Sequence, residues 1–321
     1  MKAFCLFIIL FLSSVPQLLA QIKITQNIQR HFPKSIPAGN YSGITWLGDN
    51  LYAVVSDKAE EDGFYIFEID IDSESGDIIS AKSIAFKSCG EPNRDAEGIT
   101  YNPNTNTIFI SGENGNVIKE YDMNGQLTGT EIVPTVLYSK LPGNLGLEAL
   151  SFDSKSQNLL TCNESGDIFV QSYDEKLKPS STFHYETDSP LADKSKAEFY
   201  AHGISAICAF NDSLLLLERE FYVPKKKIGS FVNCKLYYCN ISQTQQQTDS
   251  IPTLSKTLLT EWRTSLNIFS RKIANYEGMC LGPKLKDGSR SILLIADSQN
   301  QHGHVLKDWI KTLKLHLPKH H

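Results

Sequence analysis

Short apolar runs return along this chain in pairs, and a polar turn splits each pair. In residues 94–113, RDAEGITYNPNTNTIFISGE, an acid and a glycine (Glu97, Gly98) open the first run, and another acid (Glu113) closes the second. Residues 147–164, LEALSFDSKSQNLLTCNE, and 276–297, YEGMCLGPKLKDGSRSILLIAD, repeat the layout. Two looser copies are SGITWLGDNLYAVVSD at 42–57 and SAICAFNDSLLLLE at 205–218. Runs this short and continuously apolar, bounded by turn residues, predict strands buried on both faces. The turns GDN, NPNTN, DSKSQN, NDS and GPKLKDGSRS carry the Gly, Asn, Asp and Pro that tight reversals demand. Each core is therefore predicted to be a β-hairpin.

The cores start at residues 42, 97, 148, 205 and 277, spacings of 55, 51, 57 and 72. A period of that size is the mark of a repeat architecture with one blade per repeat. Third strands are predicted at 64–69, 117–121, 168–173, 236–239 and 304–306, and fourth strands at 78–86, 127–133, 182–185 and 256–262. The last repeat lacks a fourth strand, and residues 22–28 (IKITQNI) are free to supply it, which would protect two sheet edges at once. The expected fold is all-β, a β-propeller of five or six four-stranded blades. A sixth blade would have to come from the 72-residue interval or the C-terminal DWIKTLKLHL. Two stretches, 185–203 and 219–233, interrupt the pattern as insertions of the length that often carries function.

In a propeller the innermost strand lines the axis, and the hairpin brings the end of the second strand back to the rim where the first began. Glu97, Glu148 and Glu277 at the first position are thus expected to share a rim with Asp57, Glu113, Glu164, Glu218 and Asp297 at the second. Carboxylates so crowded raise each other's pKa unless a cation sits among them. Ca²⁺, a hard cation with oxygen ligands, fits that need. The first three are the candidate catalytic groups and the other five the candidate metal ligands. A repeated acid at a strand end also serves simply to accept backbone N–H groups from the next blade, so no single one of them decides the matter. Arg94, His202, Arg219 and Arg271 lie near the same rim by sequence and are the candidates for holding an anionic substrate. No hydrolase serine elbow, zinc helix, P-loop or dinucleotide fingerprint is present.

The motifs DAEGI, GLEAL, HGIS with LLLLERE, and NYEGM with LLIADSQN together resemble the phytase-like domain family, also called the esterase-like activity of phytase family, over about residues 40–310. The resemblance implies a secreted propeller whose repeated acids form the site, and hydrolysis of a small phosphoester with Ca²⁺ screening the anionic substrate. Ser42 and Ser205 stand where that pattern has acids, so the first-position ring is incomplete. Two other readings stay open: a metal-dependent carboxylic ester or lactone hydrolase, and a non-catalytic propeller that binds a ligand or protein.

Composition narrows the partners. Net charge is −5 and pI about 5.9, with no basic stripe to neutralise phosphates, so nucleic acid is not expected. Residues 1–20 read as a cleaved signal peptide ahead of a single domain at 21–321, which makes the protein secreted or periplasmic. No later stretch approaches the roughly 20 apolar residues of a membrane span, and a monomer is expected. Of the cysteines beyond the leader, Cys162, Cys208 and Cys280 sit in apolar runs and read as buried thiols, whereas Cys234 and Cys239 could pair locally. Sequons occur at Asn40, Asn163, Asn211 and Asn240.

Overall fold

The computed structural model describes residues 22–318 apart from 136–137, 139–145, 243 and 245–249; residues 1–20, read above as a signal peptide, lie outside the described residues. Five antiparallel sheets follow one another along the chain, one per repeat, and their first strands pack side by side in a closed ring, first against second and fifth against first. This is a five-bladed propeller. The inner strands are Tyr41–Gly48, Ala96–Asn102, Leu147–Asp153, Ala197–Phe210 and Asn275–Lys284. Five clusters of buried side chains hold the ring, each shared by two adjacent blades. Strands buried on both faces follow from this, because every blade sits between two others.

The N-terminal strand Lys23–Gln26 pairs with Trp309–His316 and completes blade five, as expected. The segment 304–306 is not the third strand of that blade. A 3-10 turn, His302–His304, occupies the place, and the third strand is Trp309–His316, drawn from DWIKTLKLHL. Ile310, Leu313 and Leu315 are buried there, so the stretch that left room for a sixth blade is used in closing the fifth. The two insertions are loop only at 186–193 and 225–229. They lengthen blade four, whose strands Ala197–Phe210, Ser213–Pro224, Ser230–Asn240 and Lys256–Leu266 rise above the neighbouring blades.

A hydroxyl on each of the first three inner strands ties its blade to the next. Thr45 Oγ1 accepts the Tyr101 N–H at 3.1 Å, Thr100 Oγ1 that of Phe152 at 2.9 Å, and Ser151 Oγ that of Ala209 at 2.8 Å. Cys208 stands at the matching position in blade four and faces the Leu281 N–H, while burial pushes its thiol up to about 12. Cys234 and Cys239 do not pair: both are free, on one extended strand. Five residues apart in a strand, they point to opposite faces and into different interblade cores. Asn163 is fully buried, with its amide bonded to Ser165 and Asp167, which closes that sequon to modification in the folded state. Among the described residues no helix is long and apolar enough to cross a membrane.

Candidate functional site

Each inner strand carries a β-bulge, near its start in four blades and midway along the longer strand of blade four. Tyr41 faces Ser56 but Gly43 faces Val55, so Ser42 is the extra residue. By the same count Glu148, Ser205 and Glu277 are extra in their blades, and Glu97 lies in the corresponding shift between Ala96 and Ile99. A bulge breaks the alternation of the strand and re-aims one side chain. Here it turns the first-position side chain of every blade toward the axis. In blades one, two and five a glycine follows, with its own cause: a Cβ on Gly98 would lie 2.6 Å from the Leu150 nitrogen, and one on Gly278 3.0 Å from the Gly43 carbonyl carbon. The inner strands approach too closely there for a side chain.

Each second strand delivers a residue to the same mouth. In blades one, two, three and five it is Asp57, Glu113, Glu164 and Asp297. In blade four it is Arg219. Ile204 faces Glu218 as Leu147 faces Asn163, so Glu218 corresponds to Asn163 and Arg219 to Glu164. One step along a strand reverses the side chain. Glu218 accordingly points away from the axis and accepts hydrogen bonds from the Tyr185 hydroxyl at 2.7 Å, the Asp188 N–H at 3.2 Å and Lys256 at 2.5 Å. Glu218 is thus not placed with the other seven acids.

Those seven (Asp57, Glu97, Glu113, Glu148, Glu164, Glu277 and Asp297) act on one another. Burial, then Glu148 and Glu277, pushes the Glu97 carboxyl well above the usual range. Burial, then Glu164 and Glu277, does the same to Glu148. Glu277 is raised by burial against the lowering pull of Arg219. Asp297 is pushed up to about 8 by burial and by Glu277. Burial also raises Glu113 and Asp57. Two cations meet this charge. Arg219, with its side chain only 5 % exposed, donates to Glu164, Glu277 and the Asn275 side-chain oxygen. Lys58 Nζ lies 2.5 Å from Asp95 and 3.3 Å from Asp57.

Asp95 was not among the sequence candidates, although it stands in the DAEGI motif. It adopts a left-handed backbone (φ 59°), rare for a non-glycine residue, held by Asn93, whose amide oxygen accepts the Ala96 N–H and whose NH₂ bonds three carbonyls of 56–59. Asp57, Asp95 and Glu97 offer oxygens all within 4.8 Å of one another. Asp57 Oδ1 is buried with no hydrogen-bond partner. Oxygens about 2.3–2.6 Å from a central Ca²⁺ lie at most about 5 Å apart, so this donor set fits the ion.

The other candidate cations fall elsewhere. Arg94 crosses from blade two to blade one and donates to Asp62 at 2.6 Å, the Tyr121 hydroxyl at 3.0 Å and the Val117 carbonyl at 3.0 Å, all spent on joining blades. His202 lies above the mouth on the raised part of blade four, beside Tyr200 and opposite Glu220. Arg271 is exposed in the turn before blade five. A cavity of about 440 Å³ opens at the other end of the axis between Trp46, Tyr101, Phe152, Phe210 and Arg290. A much smaller cavity, about 10 Å³, is lined by Gly98, Ile99, Glu148, Leu150, Glu277 and Met279. Size favours that far cavity, but the shifted carboxylates are at the acidic mouth, and chemistry weighs more than volume.

A family model described as "Phytase-like: Esterase-like activity of phytase" matches residues 36–299. The chain belongs to the phytase-like family. All seven acids and Arg219 of the mouth lie inside the matched span. No curated protein matches this chain by sequence. Solved structures similar to this phytase-like chain include a streptogramin B lyase, 13 % identical with TM-score 0.41, covering 92 % of this chain and 98 % of that one. Another is a DUF4221 family member from Bacteroides vulgatus, 8 % identical with TM-score 0.44, covering 94 % and 100 %. The fold assignment rests on the strand pairing above.

Proposed function

We propose that the acidic mouth hydrolyses a small phosphoric ester with the help of Ca²⁺. The observation that carries the reading is the convergence of seven acids from four blades, with Asp95, around Arg219 and Lys58. Asp57, Asp95 and Glu97 would hold the ion, which when bound supplies charge that offsets an incoming anion and activates water. Glu148 and Glu277 line the axis with raised pKa, and a carboxyl held above its usual range is suited to giving a proton to the leaving oxygen. Arg219 is placed to steady developing negative charge, and its Nε is buried without a partner, a donor left over for a bound group. Lys58, 60 % exposed at the outer edge, is the cation that an approaching anion meets first. His202 stands nearby as a further polar group, whereas Arg94 is already committed between blades.

A second reading draws on the same geometry. An uncharged carboxylic ester or lactone would enter an anionic mouth without repulsion, and the family description names esterase-like activity. Metal analysis of purified protein, then a panel of chromogenic phosphoesters and carboxylic esters with and without chelator, separates the readings. Calcium-dependent phosphoester turnover lost in Glu148→Gln supports the first. Turnover of carboxylic esters alone moves the assignment to the second. If neither class is turned over while Glu97→Gln with Glu148→Gln keeps full stability, the mouth is a binding site.

A further inference from the structure

Blade four ends in a crown unlike the rest of the surface. Strand Ser213–Pro224 runs on past Arg219, turns through residues 225–229 and returns as Ser230–Asn240; beside it Lys256–Leu266 ends in a second turn. Both turns are fixed. The Gly229 N–H donates to the Leu266 carbonyl at 2.8 Å, tying one to the other. Within the second, the Asn267 N–H donates to the Ser270 carbonyl at 2.8 Å and the Phe269 N–H to the Asn267 side chain at 2.9 Å. This framework holds Phe269 at 92 % exposure, Ile268 at 76 % and Ile228 at 61 %. Leu191 and Phe199, also exposed, stand on the same blade. Around them Lys225, Lys226, Lys227, Arg271 and Lys272 are exposed, and neither 224–230 nor 266–272 contains a carboxylate. Acids elsewhere on blade four include Asp193, paired with Lys196, Glu198, and Glu261, which accepts from the Asn233 side chain.

Isolated apolar side chains on a surface need no explanation; three at the tips of two braced turns, ringed by five cations on a chain of net charge −5, do. We propose that this crown docks on an anionic phospholipid surface. Ile228, Ile268 and Phe269 enter the boundary between headgroups and acyl chains while the Lys and Arg side chains meet lipid phosphates. Charge picks the anionic surface, and shape picks a membrane. The tips are convex, so a fluid layer can close around them, whereas a rigid protein would need a matching hollow. The crown rises from the rim that carries the acids, so docking sets the acidic mouth beside the lipid layer.

Co-sedimentation with phosphatidylcholine vesicles, with and without phosphatidylserine, tests the proposal. Chelator is present throughout so that calcium does not bridge the mouth to lipid. Binding is expected to the phosphatidylserine vesicles only and to weaken with salt. Changing Lys225, Lys226 and Lys227 together to Gln should weaken partitioning by about 100-fold at low ionic strength. Ile268→Ser with Phe269→Ser should abolish it, with the thermal midpoint unchanged because both side chains lie in solvent. Equal binding to both vesicles, no binding, or binding that survives the Ile268 and Phe269 changes overturns the proposal. So does an oligomer in solution that the same changes convert to monomer without vesicle binding, which would make the crown a contact between two copies.

Discussion

Replacing Arg219 by Met keeps the aliphatic bulk and removes the guanidinium that Glu164, Glu277 and Asn275 share. Removing one partner of a buried ion pair costs about 3–5 kcal/mol, because the other charge is left unpaired. The two glutamate side chains keep 17 % and 16 % exposure, so some water reaches them and the lower end of that range applies. At about 2–4 °C per kcal/mol for a domain of this class, the thermal midpoint should fall by roughly 6 °C or more near pH 8. The loss should depend on pH in a defined direction. Arg219 lowers the Glu277 carboxyl, so its removal raises the folded-state pKa further above the unfolded value. A carboxyl raised in this way stabilises the fold below its unfolded pKa, and that contribution disappears as pH climbs through the folded pKa. The deficit should therefore be small near pH 5 and large near pH 8, and adding Glu277→Gln should recover part of it. Thermal melts in chelator across that range measure it. A loss below about 1 kcal/mol, or one equal at pH 5 and pH 8, would refute the view of Arg219 as internal counter-ion.

The protein itself, free of divalent ions, should lose stability as pH rises from 5 toward 9. Asp297, pushed up to about 8, and the raised Glu97 and Glu148 each keep a proton that the unfolded chain releases in this range, at a cost of up to about 1.4 kcal/mol per pH unit; a flat series of melts would contradict this. Added Ca²⁺ should raise the thermal midpoint more at pH 8 than at pH 5, since its ligands must be deprotonated, and Asp57→Asn should remove most of that gain. Calorimetry with no heat of Ca²⁺ binding would count against the site. Gly98→Ala should cost about 1–3 kcal/mol in denaturant unfolding, because the new methyl meets the backbone of blade three at Leu150 and Ala149; an unchanged midpoint would mean the inner strands can part.

The repeat of paired apolar runs, the turn residues and the acid at each hairpin end were enough to determine five hairpins, a propeller and one acidic rim, because these depend on local pattern and on side-chain alternation within a hairpin. The N-terminal closure was equally legible, since a blade short of one strand and a strand without a blade specify each other. The structure alone decided what depends on register and on neighbours. Bulges at Glu97, Glu148 and Glu277 turn those acids to the axis, and bulges leave no mark in spacing. In blade four the ring position belongs to Arg219 and not Glu218, a difference of one residue that reverses the face and sets a cation among the acids. Arg94 spans two blades instead of facing the mouth, and Asp95 joins Asp57 and Glu97 through a left-handed backbone. Local pattern specifies which residues share a strand end. Where their side chains point, and which charges they meet, is fixed by pairing between strands and packing between blades.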